Sequence, residues 1–158
     1  VLQDIAEGRP ARLIVGMPPR TMADWDALRA LLSRVLDQAF TDGGWTVYLD
    51  ELQLLADRKM MGLGPRVEKM LVAARDKKVS IISSYQAPSW VPTAASRQAT
   101  WMILWPTRDR TVIKKLSECT GRPMVELEAA LRKLPPYHVL IIGLDPSAPM
   151  VLTNPAKL

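Results

Sequence analysis

Two adjacent carboxylates, Asp50 and Glu51, close an apolar run, Trp45-Thr-Val-Tyr-Leu49, that is written for a β-strand. A second run of the same kind, residues 79–84, follows a helical stretch and closes on Ser83-Ser84-Tyr85-Gln86. Carboxylates bind hard divalent cations through oxygen, and a positioned carboxylate can take a proton from water. A side-chain amide both donates and accepts hydrogen bonds, so Gln86 can respond to an anion beside it. If the first strand continues through the acidic pair, Asp50 and Glu51 point to opposite sides. One is then free for a metal and the other for water. Such chemistry needs parallel strands side by side with polar residues at their carboxyl ends, where open α/β sheets bind ligands. The plainer reading, a buried strand that ends in two solvated acids, accounts for the pair alone but not for Gln86 at the end of the next strand.

The elements that must position these groups follow from local signals. Arg12-Leu-Ile-Val-Gly16 reads as a buried strand stopped by Pro18-Pro19. Thr21 and Asp24 form a capping-box pattern, and Met22, Trp25, Leu28, Leu32, Val35, Leu36 and Ala39 recur at helical spacing until Asp42-Gly43-Gly44. Residues 52–63 read as a loop or irregular helix. Gly64-Pro65 starts a helix that carries Val67, Met70, Leu71 and Ala74 inward. Pro88 and Pro92 flank Trp90 in an extended loop, and Thr100–Trp105 is another apolar segment ended by Pro106. Asp109 caps a helix bearing Val112, Ile113, Leu116 and Cys119, with Gly121 as its stop. Pro123 opens a further helix with Val125, Leu127, Ala130, Leu131 and Leu134, ended by Pro135-Pro136. Strands 139–142 and 150–152, turned at Asp145-Pro146, make an antiparallel hairpin at the C-terminal sheet edge. Early alternation of strand and helix predicts an α/β fold with a mostly parallel sheet, helices on both faces and right-handed crossovers.

Composition narrows the class. A chain of 158 residues, 48% hydrophobic, suits a single domain with a substantial core. No apolar run approaches the roughly 18 residues of a membrane span, and Val1-Leu-Gln-Asp4 has no signal-peptide pattern. The lone cysteine, Cys119, allows neither an internal disulfide nor a Cys-based zinc site, which fits a cytoplasmic protein. The only histidine, His138, opens an apolar run and reads as a strand-edge residue. The net charge of +5 permits contact with phosphate backbones. Residues 57–78 hold seven Lys/Arg against three acids, and residues 108–122 hold five against two, so the positive excess is concentrated in these segments.

Segment 45–115 resembles the FtsK/HerA superfamily of ring-forming P-loop motors, which includes DNA translocases and conjugative coupling ATPases. The resemblance is carried by the strand ending in Asp50-Glu51, the helix Val67–Ala74 leading to Arg75, the strand Val79–Ser84, and Gln86-Ala-Pro88. Arg97 before the apolar segment 100–105, and Thr107-Arg-Asp109 after it, also suit the pattern. Ser84-Tyr85-Gln86 carries one residue more between serine and glutamine than the family's pattern. The resemblance implies a RecA-like P-loop sheet and the cofactors ATP and Mg²⁺. Asp50 would then be the Walker B aspartate that holds Mg²⁺, Glu51 the residue that activates water, and Gln86 a γ-phosphate sensor. An arginine finger would come from Arg75 or Arg66, with Arg97 third. The resemblance implies as partners DNA and further copies in a ring, a hexamer, together with a membrane-anchored partner reached through other segments.

One departure is large. The chain contains no Gly-x-x-x-x-Gly-Lys-Ser/Thr, and Gly62-Leu-Gly64 lacks both lysine and spacing. The expectation is that these residues are the C-terminal portion of a P-loop ATPase domain whose phosphate loop lies upstream. The alternative is a non-hydrolysing assembly or adaptor module of the same fold. On the first expectation the 158-residue chain by itself binds ATP weakly. Calorimetric titration with ATP and Mg²⁺ checks this, and micromolar affinity would overturn it.

Overall fold

The computed structural model describes residues 21–145 and 148–154, so the expected strand at 12–16 and the proline of the Asp145-Pro146 turn lie outside the described residues. Helix α1, Met22–Asp42, starts at the expected capping box: the Asp24 amide donates to Thr21 Oγ1 (3.3 Å) and the Thr21 amide donates to Asp24 Oδ2 (2.8 Å). It ends at Gly43, whose φ of 67° is left-handed and whose amide donates to the Ala39 carbonyl. The chain then enters β1, Thr46–Leu49, which leads through a turn into a short helix α2, Leu52–Ala56. Helix α3, Gly64–Ala73, begins with the expected proline in its first turn and buries Val67 and Met70. Strand β2, Ser80–Ser83, follows.

Strands β1 and β2 pair in parallel, with Thr46 opposite Ser80 and Leu49 opposite Ser83. Helices α1 and α3 pack with this pair around a core of Leu36, Leu49, Leu52, Leu63, Val67 and Met70, against which Trp25, Phe40 and Tyr85 rest. Pro88–Trp90 forms a 3₁₀ turn and Thr93–Arg97 a short helix α4, where an extended loop was expected. Proline at a first helical position supplies a pre-set φ, and in the 3₁₀ turn Pro88 does so.

The second half of the chain is antiparallel. Strand β3, Trp101–Leu104, precedes helix α5, Arg110–Thr120, which is capped by Asp109 as expected, and helix α6, Met124–Arg132. Strands β4, Val139–Gly143, and β5, Met150–Thr153, complete the chain. The hydrogen-bonded order is β3-β4-β5, each pair antiparallel. The expected C-terminal hairpin is therefore present as β4–β5, but the expected single, mostly parallel sheet is not seen among the described residues. They form one parallel pair and one antiparallel sheet of three strands. The reason lies in chain reversal: β3 reaches β4 through two helices, and β4 returns alongside it, Trp101 opposite Gly143. Helices α5 and α6 cover this sheet around Met102, Ile113, Leu116, Leu127, Leu131 and Ile142. Val125, expected with the apolar face of α6, is 79% exposed instead, because Leu127 and Leu131 take the buried face. Met22, in the first turn of α1, is likewise exposed.

Gly43 shows how tightly α1 is joined to the parallel pair. A Cβ there would sit inside contact distance of the Lys77 carbonyl oxygen, whereas a Cβ on Gly44, also at positive φ, would meet nothing within 4 Å. Gly43→Ala is expected to destabilise the fold by about 1–3 kcal/mol, and Gly44→Ala by less. Urea unfolding midpoints of the two variants check the order.

Candidate functional site

Strand β1 stops at Leu49, and Asp50 and Glu51 form the turn into α2. Glu51 has a φ of 51° and a ψ of 52°, a left-handed conformation rare for a residue with a side chain. The expectation that the strand continues through the pair, sending the two carboxylates to opposite sides, is thus corrected: the backbone turns sharply between them. The turn is tied to the end of β2. The Ser84 amide donates to the Leu49 carbonyl (3.0 Å), and the Leu52 amide donates to the Ser84 carbonyl (2.9 Å).

The side chains converge at that point. Asp50 Oδ1 accepts hydrogen bonds from the Ser84 hydroxyl, the Tyr48 hydroxyl (3.2 Å) and the Glu51 amide (3.1 Å). The Glu51 amide also lies 3.2 Å from Ser84 Oγ, so one hydroxyl braces both residues of the acidic pair. Among the described residues all of these bonds fall on Oδ1, which leaves Oδ2 of Asp50 open. The Ser84 hydroxyl, followed by the Tyr48 hydroxyl and the Glu51 amide, holds the Asp50 carboxyl below the usual aspartate range against a small opposing effect of burial. Glu51 is held through both oxygens. Gln86 Nε2 donates to Oε1 (3.3 Å), and Gln53 Nε2 donates to Oε2.

The structure therefore brings Asp50, Glu51 and Gln86 into one network at the carboxyl ends of two parallel strands. Ser84, Gln53 and Tyr48 join them. Ser84 was legible only as part of the Ser-Tyr-Gln run. Gln53 and Tyr48, each two residues from a carboxylate they touch, carried no signal in the sequence. No group of three or more His, Cys, Asp or Glu that could hold a metal occurs among the described residues. The donors present suit Mg²⁺, which commonly takes one or two carboxylates and completes its shell with water and substrate phosphates.

The arginines sit elsewhere. Arg66 Nε lies 3.3 Å from Asp37 of α1 in an exposed ion pair. Arg75, just beyond α3, and Arg97, at the end of α4, line one pocket beside Trp101. Lys69 and Lys77 lie over the Phe40 ring at 5.0 and 5.1 Å. Part of the positive charge in 57–78 is thus spent holding α1 against α3.

No protein-family model matches the chain, and no curated protein does. Solved structures do match. The genome packaging NTPase B204 from Sulfolobus turreted icosahedral virus 2, in complex with ATP-gammaS, superposes with a TM-score of 0.61 at 21% identity, over 82% of this chain and 64% of that one. The same protein with AMPPCP gives a TM-score of 0.62 at 19% identity, over 89% and 76%. B204, the DNA-packaging ATPase from Sulfolobus Turreted Icosahedral Virus, gives 0.60 at 20%, over 82% and 61%. The chain thus has the fold of these packaging NTPases and spans about 64% of the length of the first of them. No helix among the described residues is long and apolar enough to cross a membrane.

Ser84→Ala is expected to raise the Asp50 pKa toward the ordinary value of about 3.9, since it removes the largest stabilising bond. With the serine present, Asp50 favours the folded state at pH values above that figure, and its contribution fades as pH falls through its lower folded value. Carboxyl carbon chemical shifts followed by NMR between about pH 2 and 6 check both statements.

Proposed function

We propose that this chain is the C-terminal part of a RecA-like P-loop ATPase domain of the FtsK/HerA type, in a motor that moves DNA at the expense of ATP. The observation that carries the proposal is the network of Asp50, Glu51, Ser84 and Gln86 at the carboxyl ends of two parallel strands. The fold shared with B204, crystallised with ATP analogues and AMP, supports it.

In this reading Mg²⁺ bound with ATP would supply positive charge to the phosphates, and Asp50 would hold it. A carboxyl kept below the usual aspartate range stays ionised at neutral pH, as a cation ligand must. Glu51 orients or deprotonates the attacking water. Each of its oxygens accepts one side-chain amide N–H, which orients the carboxylate and leaves a lone pair on each for water. Gln86, just beyond β2, would sense the γ-phosphate from beside that carboxylate. Arg66 is a candidate arginine finger, since its exposed ion pair with Asp37 is worth only about 0–1 kcal/mol and can be exchanged. The phosphate-cradling loop would come from residues outside these 158, and the ring from further copies.

One observation favours a second reading, a non-hydrolysing assembly or adaptor module: the chain holds no Gly-x-x-x-x-Gly-Lys-Ser/Thr. Steady-state ATPase assays with parallel nucleotide-binding measurements on the full-length protein separate the two. Glu51→Gln is expected to keep nucleotide binding and lower turnover by about 10²–10⁴, while Asp50→Asn weakens Mg²⁺-dependent binding itself. Hydrolysis by Glu51→Gln within a few-fold of the parent rules the motor reading out.

A further inference from the structure

A pocket of about 230 Å³ lies where the end of α4 meets the start of β3 and the end of β4, with Arg75, Arg97, Gln98, Thr100, Trp101 and Asp145 on its walls. Its composition differs from that of the acidic network. Two arginines and one aspartate line it, and no side-chain hydrogen bond or ion pair engages the guanidinium of Arg75 or Arg97 among the described residues. Asp145 has a partner of its own. Trp101 is 54% exposed although it stands in the middle of a structured region.

The antiparallel ladder of β3 and β4 forms the floor of this pocket. Trp101 lies opposite Gly143 in the antiparallel ladder, and its ring would come within 3.1 Å of a Cβ placed on that glycine. The indole and the Ala148 side chain together occupy the space over this glycine. The Leu144 amide donates to the Thr100 carbonyl (3.1 Å), extending the ladder beneath the ring. On the far rim the Ala148 amide donates to the Asp145 carbonyl (2.9 Å), and the Arg122 guanidinium donates to the Ala148 carbonyl. A half-exposed aromatic side chain beside two unengaged guanidinium groups is the chemistry that takes a base by stacking and its phosphate by charge-assisted hydrogen bonds.

We propose that this pocket binds one nucleotide unit of a nucleic-acid strand, the base on Trp101 and the adjoining phosphate between Arg75 and Arg97. This rests on the reading of the chain as part of a DNA motor and names the place where the strand is held. A strand fits better than a free nucleoside triphosphate: two arginines opposed by Asp145 balance one phosphodiester charge and leave a triphosphate largely uncompensated. Trp101 is a binding residue here, and the pocket shares no side chain with the acidic network.

The test is fluorescence anisotropy of a labelled oligothymidylate with the full-length protein, in the absence of ATP, as salt is raised. Parent protein is expected to bind, and Arg75→Gln with Arg97→Gln to shallow the log–log salt slope by about 0.7, the value for one neutralised phosphate on a single strand. Trp101→Ala is expected to weaken binding about 5- to 150-fold, and Trp101→Phe to restore most of it. Circular dichroism confirms that each variant is folded, and the exposed arginine pair supplies a variant that leaves the core untouched. An unchanged slope in the double arginine variant, or equal affinity of Trp101→Ala and parent, overturns the proposal, as does displacement of the oligonucleotide by ATP at stoichiometric concentration. Glu51→Gln serves as control: loss of ATPase with strand binding intact leaves this site standing, and ATPase with no strand binding removes the site alone.

Discussion

The Ser84 hydroxyl joins the two parallel strands where their backbone ladder runs out, and the geometry of the acidic pair depends on it. The last paired residues are Leu49 and Ser83. One position further, the backbone of Ser84 reaches both Leu49 and Leu52, and its side chain reaches both Asp50 and the Glu51 amide. The contact exists only in this register. A slip of one residue turns every side chain to the other face and presents Ser83 or Tyr85 to Asp50 in place of Ser84. The apolar alternation of Val47 and Leu49 against Tyr48, buried side against exposed side, is what excludes that slip.

The packing around the strands serves the same end. Leu52, the first residue of α2, is fully buried, so the left-handed turn at Glu51 is clamped between the end of β1 and a side chain sunk in the core. Gly64 adds a second clamp, because a Cβ there would approach the Ala56 carbonyl oxygen to 2.9 Å. A strained backbone conformation of order 1–3 kcal/mol persists only where its surroundings over-determine it, and here both ends of α2 are fixed. The cationic residues contribute less. Exposed ion pairs such as Arg66 with Asp37 are worth about 0–1 kcal/mol, so they orient α1 against α3 rather than hold the fold.

Much of this was legible in the sequence because it rests on local chemistry. The capping box at Thr21 and Asp24, the stop at Gly43, the proline in the first turn of α3 and the cap at Asp109 each need only a few neighbouring residues to act. Asp50, Glu51 and Gln86 were legible together because their spacing is set by one strand–helix–strand unit. Non-local pairing was not legible. Nothing in Trp101-Met-Ile-Leu104 says that its partner is β4 and that it runs antiparallel, since an apolar strand fits either ladder. The end of β1 was misread for a different reason: a left-handed glutamate has no sequence mark of the kind glycine gives. The burial of α6 was misjudged at Val125 because several apolar residues competed for one face and Leu127 and Leu131 won it.

Tyr85 stands between Ser84 and Gln86, and it links two parts of the molecule that the strands keep separate. Its ring rests against the core of the parallel pair. Burial first, and then the Cys119 thiol of α5, push its phenol above the usual tyrosine range, so the hydroxyl lies within electrostatic reach of the helix that covers the antiparallel sheet. Gln86, one peptide bond away, holds Glu51. Tyr85 is the residue that separates serine from glutamine in this chain, so the connection that sets Gln86 beside Glu51 is also pinned to the core of the parallel pair.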